Sequence, residues 1–213
     1  YLFAERLQAS GSVRYVEPDY KVQAFYVPND SYWNQQWGPR KIRADFAWNT
    51  TLGSSAILVA VVDTGIDYTH ADLAANYVPM GYDWYNMDDD PIDDNGHGTH
   101  CAGIIAATIN NNVGVAGLAQ VQIIAEKALD QYGWGGDVEV ANSIYDATDK
   151  GAKIISMSLG GPSDSSILRD AVRYAYNRGV LLVAAAGNSG SEQLHYPAAY
   201  DEVVAVSATD QSD

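Results

Sequence analysis

Apolar positions along the chain fall into short unbroken runs set between longer stretches of mixed polarity. Residues 57–62, Ile-Leu-Val-Ala-Val-Val, are continuous and lie between Gly53-Ser54-Ser55 and Thr64-Gly65. A run of strand length without alternation predicts a parallel strand covered on both faces. Residues 121–129, 153–159 and 180–186 read as further strands, with helices over 138–150 and 165–178 between them, and 203–206 as a last strand-like run. Strands alternating with helices predict an α/β fold, a mostly parallel sheet with helices on both faces. A nucleotide-binding domain shares this rhythm, but no Gly-x-Gly-x-x-Gly follows the first strand.

The first run ends in Asp63, which places a carboxylate at the carboxyl end of a central strand, the edge where ligands bind in open α/β sheets. A second stretch, Asn95-Gly96-His97-Gly98-Thr99-His100-Cys101-Ala102-Gly103, holds two histidines and three glycines and runs into Ile104-Ile105-Ala106-Ala107. This reads as the start of a buried helix. A ring in its first turn meets the positive end of the macrodipole, a setting that suits a neutral imidazole acting as a base. The glycines permit close approach of other backbone. The bland alternative is a turn acid at Asp63 and a glycine-rich helix start with incidental histidines. Cys101 is the one cysteine, so no internal disulfide forms, and it reads as a small buried residue.

Charge narrows the partners. With 27 acids against 12 bases the net charge is −15, which argues against nucleic acid or an anionic membrane and is compatible with bound cations. No apolar stretch reaches the roughly 20 residues of a membrane helix. Between Gly81 and Asp94, seven of fourteen residues are Asp or Asn. Crowded carboxylates repel unless water or a cation neutralises them, and calcium takes six to eight oxygens from such loops, although this spacing is not the EF-hand pattern. Asn110-Asn111-Asn112 also fits a helix exit, since Asn tolerates left-handed backbone. The start, Tyr1-Leu2-Phe3-Ala4-Glu5-Arg6, has neither an initiator methionine nor a signal peptide, and both ends read as cut.

Four motifs occur in order: Val61-Val62-Asp63-Thr64-Gly65-Ile66-Asp67, Asn95 through Gly103, Ser158-Leu159-Gly160-Gly161 and Ala185-Ala186-Gly187-Asn188-Ser189-Gly190. Together they resemble the subtilisin-like serine proteases, and within them a secreted, calcium-binding branch. The likeness runs from about Tyr26 to Asp213. It implies a three-layer subtilisin-like fold with its C-terminal part missing, and a serine endopeptidase that hydrolyses peptide bonds in proteins. By resemblance Asp63 and His97 are catalytic, Asn188 donates to the oxyanion, and His100 is structural. Gly133, Trp134 and Gly135 on one side and Ser158, Leu159 and Gly160 on the other match the two edges that bind substrate. The exposed backbone of such edges lets an extended peptide add as a strand.

The same resemblance assigns calcium ligands. One set is Asp83, Asn86, Asp88 and Asp90; a second is Asp30, Asp72 and Asn111, with carbonyls near Thr108, Val113 and Val115. It reads residues 1–25 as the end of an inhibitory propeptide, with the last strand and tail from Val13 to Phe25, and residues 26–213 as the partial catalytic domain. Pro18 would equally suit an edge strand of the main domain. Trp33, Trp37 and Trp48 are expected to pack the N-terminal arm, residues 44–48 to form a short helix, and Tyr196-Pro197 to be cis. The implied protein is a secreted monomer acting on proteins or peptides, its own propeptide included. The family's nucleophile sits in a Gly-Thr-Ser-Met-Ala segment, and no such segment occurs between Tyr1 and Asp213. The expectation is a chain that stops short of its serine, exposes apolar surface and is inactive by itself. The rival is a serine-less homologue that binds peptide or calcium.

Overall fold

The computed structural model describes residues 2–20 and 26–212. Its centre is strand β1 (Leu58–Asp63), joined in one parallel sheet by β2 (Tyr82–Asp83), β3 (Gln122–Lys127), β4 (Ile154–Met157), β5 (Leu181–Ala185) and β6 (Val203–Val206), in the order β2-β3-β1-β4-β5-β6. The central run is covered on both faces, as its unbroken apolar sequence requires. Val59 and Val61 enter one core with Ile66, Ile123 and Ala125; Ala60 and Val62 enter another with Ile124, Ile155 and Leu182.

After β1 the chain builds towards β3 through helix α4 (His97–Ala106). It then crosses back to β4, β5 and β6 through α5 (Asp137–Asp149) and α6 (Ser166–Asn177). The steps β2-α4-β3, β3-α5-β4 and β4-α6-β5 all run the same way along the sheet, yet α4 lies on the other face from α5 and α6. Ala102 and Ala106 of α4 pack on the first core, and Ile144 and Val172 of α5 and α6 on the second. The result is the expected three-layer α/β arrangement. Its strand order reverses beside β1, so the carboxyl end of β1 lies at a topological switch point, where crevices open in such sheets.

The helices follow their patterns. In α6, Leu168, Ala171, Val172 and Ala175 form one apolar stripe, and Val140, Ala141, Ile144 and Ala147 do so in α5. Glu139 accepts a hydrogen bond from the Gly136 N–H at 3.1 Å and closes the α5 N-terminus. Two short helices, α2 (Trp37–Lys41) and α3 (Ala44–Ala47), precede the sheet. Trp33 and Trp48 are buried there with Ala44, Ile109 and Ala116, and the Trp48 indole N–H donates to the Leu118 carbonyl at 2.9 Å.

Three expectations are corrected. Trp37 stays 42% exposed and does not join this cluster. Ile104 is also substantially exposed, because α4 turns only Gly98, Ala102 and Ala106 inward. The strand expected from Val13 is absent over residues 13–20: helix α1 (Leu2–Ala9) is followed by turns and irregular backbone to Tyr20, and residues 21–25 lie outside the described residues. Backbone stays extended as a strand only where a neighbour pairs its N–H and C=O groups. None of residues 10–20 has such a partner in the sheet, and Tyr15 and Tyr20 face solvent. On β6, Val204 and Val206 are both about half exposed. No helix among the described residues is long and apolar enough to cross a membrane.

Strand β3 ends in two buried charges. Glu126 accepts from the Trp84 indole N–H at 2.9 Å and faces the Lys150 ammonium at 3.3 Å. Burial outweighs these partners and lifts the Glu126 carboxyl to about 8. A carboxyl raised on folding contributes stability that is complete below its unfolded pKa, about 4.3, and is lost as pH rises through 8. Thermal unfolding should therefore show a falling Tm between about pH 5 and 8. Glu126→Gln should flatten that slope; an unchanged slope would show that Glu126 is ionised throughout the range.

Candidate active site

The last residue of β1 and the first turn of α4 meet because a glycine lets them. A Cβ on Gly98 would lie 2.1 Å from the Gly65 carbonyl oxygen and 3.1 Å from the Asp63 Cβ. With that contact made, the His97 Nδ1 lies 2.7 Å from Asp63 Oδ1. Asp63 is fully buried; Oδ1 also accepts the Thr64 N–H at 2.7 Å, and Oδ2 has no hydrogen-bond partner among the described residues. The His97 ring is 48% exposed. Engagement of Nδ1 leaves Nε2 for a second partner. His100, one turn along, is exposed and makes no contact with Asp63.

Cys101 Sγ sits 4.0 Å from His97 Nδ1. Burial pushes its thiol up to about 11, with the Ser158 hydroxyl opposing and the Asp63 carboxylate reinforcing the rise. The thiol stays protonated near neutrality and is a poor nucleophile. Asp63, His97 and Cys101 form the one cluster of three acid, histidine or cysteine groups among the described residues whose ligand atoms lie within 4.8 Å of one another.

Two residues that sequence reasoning passed over organise this corner. Asp93 Oδ1 accepts from the Thr64 hydroxyl at 2.8 Å and from the N–H groups of Asn95 and Gly96 at 3.0 and 2.9 Å. Its Oδ2 accepts from the Thr99 N–H at 2.9 Å and the Thr99 hydroxyl at 2.6 Å. Burial works to raise this carboxyl, yet the bonds from Gly96, Thr99 and Asn95 outweigh it and hold Asp93 below the usual range. An Asp shortly ahead of a helix start is a capping signal, and that signal was legible. Lys127 was not: its ammonium is 1% exposed and donates to the Thr64 carbonyl at 2.7 Å and to Asp94 at 2.6 Å.

His97 opens onto a cleft of about 680 Å³, lined also by Gly133, Trp134, Gly135, Ser158, Leu159, Gly160 and Asn188. His97, Asn188 and the sequence-predicted substrate-edge residues thus share one cavity, and Asp63 is buried behind the His97 ring. Asp130 shapes its first edge by accepting from the N–H groups of Tyr132 and Trp134 at 2.8 and 2.9 Å. Trp134 stands 76% exposed on the rim. Asn188 follows β5 through Gly187 (φ +103°), where a Cβ would lie 2.9 Å from His195 Nε2. The Tyr196–Pro197 peptide bond is cis, and Tyr196 pairs with Gly161 through bonds of 2.8 and 2.9 Å.

The two sets of candidate calcium ligands differ. Asp30 and Asp72 are buried against the 108–115 loop that follows α4. Asp72 accepts from the Asn111 side-chain amide at 2.7 Å and the Val115 N–H at 2.9 Å, and a Cβ on Gly114 would lie 2.3 Å from its Oδ2. Asp30 Oδ2 accepts the Asn110 N–H at 2.9 Å, while Asp30 Oδ1 is buried without a hydrogen-bond partner. A buried, unpaired carboxylate oxygen fits a cation. In the acidic loop, both Asp83 oxygens are taken by Asn86, through its N–H and its amide at 2.8 Å. Asp88 Oδ1 accepts the Asp90 N–H at 2.9 Å, and Asp90 takes the Tyr68 hydroxyl at 2.7 Å. Asp83, Asp88 and Asp90 are not gathered within 4.8 Å of one another, so the acidic-loop set is not closed around one point.

Comparison with known proteins agrees with this geometry. The sequence profile of the subtilase family matches residues 54–213. The chain is 47% identical over 203 residues to the thermophilic serine proteinase of Bacillus sp. strain AK1, covering 94% of this chain and 50% of that protein. It is 50% identical over 190 residues to thermitase of Thermoactinomyces vulgaris, covering 88% of this chain and 67% of the relative. To the halolysin-like extracellular serine protease Nep of Natrialba magadii it is 38% identical over 218 residues, covering 99% of this chain and 40% of Nep. The chain spans about half the length of the first of these relatives. With the profile covering most of the chain and the sheet, helices and cleft in place around it, the protein belongs to the subtilase family of subtilisin-like serine proteases.

Proposed function

We propose that this chain carries the Asp–His half and the substrate cleft of a serine endopeptidase acting on proteins and peptides. The observation that carries this reading is the 2.7 Å Asp63–His97 pair opening onto a cleft edged by glycines. Asp63 orients the ring by accepting from Nδ1–H and stabilises the imidazolium when it forms. Nε2 takes the proton of a serine hydroxyl and returns it to the leaving amine. The Asn188 amide donates to the oxygen that gains charge; losing such a donor costs about 10²–10³-fold in turnover, a magnitude known from subtilisin itself. The extended substrate lies between Gly133–Trp134–Gly135 and Ser158–Leu159–Gly160 and pairs with their main chain.

Among the described residues no serine hydroxyl is hydrogen-bonded to His97. We assign the nucleophile to a serine outside residues 1–213. Residues 1–25 are read as the end of a propeptide that occupies the cleft before processing, and 26–213 as catalytic domain. The secreted location and the monomeric state rest on the family resemblance. Calcium is assigned a structural role. Asp30, Asp72 and Asn111 fit it best, because Asp30 holds an unpaired buried oxygen. Asp83, Asn86, Asp88 and Asp90 would have to exchange their present hydrogen bonds for a cation.

A protein extended through a downstream Gly-Thr-Ser segment and processed near Phe25 should be labelled by a fluorophosphonate probe at that serine. His97→Ala should abolish labelling and lower turnover by about 10⁶-fold, the scale known for subtilisin. A downstream sequence that lacks a Gly-Thr-Ser segment, in a protein that binds peptide but never labels, would favour the serine-less reading.

Calcium that binds only the folded state should raise the Tm by mass action, and chelation should lower it. Asp30→Asn should remove most of that response. A Tm that is the same with calcium and with chelator would show that Asp30 and Asp72 are satisfied without a cation.

A further inference from the structure

The Asp63–His97 contact joins two segments that are 34 residues apart in sequence. Its length depends on what holds Asp63 and the α4 N-terminus at a fixed separation. The N-cap residue of α4, Gly96 at φ +105°, has no side chain to cap the helix with, so its first N–H groups turn to Asp93 and Thr64. The first residue after Asp63, by contrast, is tied by every polar group it owns. The Thr64 N–H donates to Asp63 Oδ1 at 2.7 Å. Its hydroxyl accepts the Gly98 N–H at 2.9 Å and donates to Asp93 Oδ1 at 2.8 Å. Its carbonyl accepts from the Lys127 ammonium at 2.7 Å.

The other ends of these ties lie on the turn that opens α4. Asp93 gathers the N–H groups of Asn95, Gly96 and Thr99 together with the Thr99 hydroxyl. Lys127 reaches Asp94 at 2.6 Å. Besides the direct Gly98 N–H to Thr64 bond, Thr64 and the 93–99 turn are thus cross-linked twice through charged groups, once by a carboxylate and once by an ammonium. Hydrogen bonds to ionised partners are shorter and roughly twice as strong as neutral ones. Lys127 is nearly sealed from water, and β3 holds it in register with Asp63 itself, so it cannot relax by swinging into solvent.

We propose that Asp93 and Lys127 are positioning residues of the Asp63–His97 pair. They form a two-part brace that fixes Thr64 against the 93–99 turn and thereby sets the Nδ1 to Oδ1 separation. The brace rests on the reading of that pair as catalytic for its functional meaning, but its geometry can be tested without any activity.

The test is the proton shared by His97 and Asp63, followed by NMR in the ¹⁵N-labelled protein. The intact brace should give a downfield Nδ1–H resonance that exchanges slowly with water. Asp93→Ala and Lys127→Met should each speed its exchange at least about tenfold, and both together more, as expected for two ties sharing one partner. Asp93→Asn keeps the shape but turns an amide towards the Thr99 N–H, so it should give an intermediate rate. Lys127→Arg, which keeps the charge, should recover part of the protection. A remote core variant, Leu168→Ala in α6, should lower the Tm and leave the resonance in place, separating positioning from stability. If Asp93→Ala does not fold, Asp93→Asn and Lys127→Met decide the matter. A resonance unchanged in both, or lost equally in Leu168→Ala, would overturn the brace. Absence of peptidase activity in the extended protein would instead overturn the proposed function and leave the brace standing.

Discussion

The structure depends on one close approach. The first turn of α4 can reach the end of β1 only because Gly98 has no side chain, its backbone lying against the Gly65 carbonyl and the Asp63 side chain. An alanine there would force α4 off the sheet. The His97 ring would then leave the reach of Asp63, and the first core, where Ala102 and Ala106 meet Val59 and Val61, would open. Small residues at the facing positions of helix and strand are therefore as much part of the site as the charged ones. The topology supplies the rest: β1 sits where the strand order reverses, and a cleft opens beside its carboxyl end.

Around that end the protein has buried more charge than a small core usually tolerates. Asp63, Glu126 and Lys127 are each almost wholly out of water. The strand register puts Asp63 and Lys127 side by side, and β3 sends Glu126 to the α5 side. Each charge is handled differently. Lys127 keeps its hydrogen bonds to Thr64 and Asp94. Glu126 escapes part of the desolvation cost by holding its proton, at about 8. Asp63 combines the His97 ring and one backbone N–H on a single oxygen, leaving the other without a donor among the described residues. A charge left unpaired in such a place is costly, so the carboxyl ends of β1 and β3 form a coupled set.

The acidic character of the chain has two faces. In the 81–94 loop, hydrogen bonds from Asn86, the Asp90 N–H and the Tyr68 hydroxyl already occupy Asp83, Asp88 and Asp90. Beside the loop after α4, Asp30 is buried with an oxygen that has no donor among the described residues. Density of acids along the sequence marks the first place. Burial, visible only in three dimensions, marks the second.

The sequence alone determined the layers and the cleft. Unbroken apolar runs between amphipathic stretches predicted a parallel sheet covered on both sides, and resemblance to a known family assigned Asp63, His97, Gly133, Ser158 and Asn188 to one site. Asp93 was within reach of the same reasoning, since an acid four residues ahead of the helix start at His97 is a local capping signal. Other features were out of reach because they depend on distant groups. Lys127 reads as an ordinary strand-end lysine until the register with β1 places its ammonium against Thr64 and Asp94. Ile104 and Trp37 looked buried by composition, yet a helix buries only the face its neighbour covers. Residues 13–20 had the composition of a strand and no neighbour to pair with. Local pattern decides which elements can form. Which charges are sealed in, and which apolar side chains are left outside, is decided by the elements that pack against them.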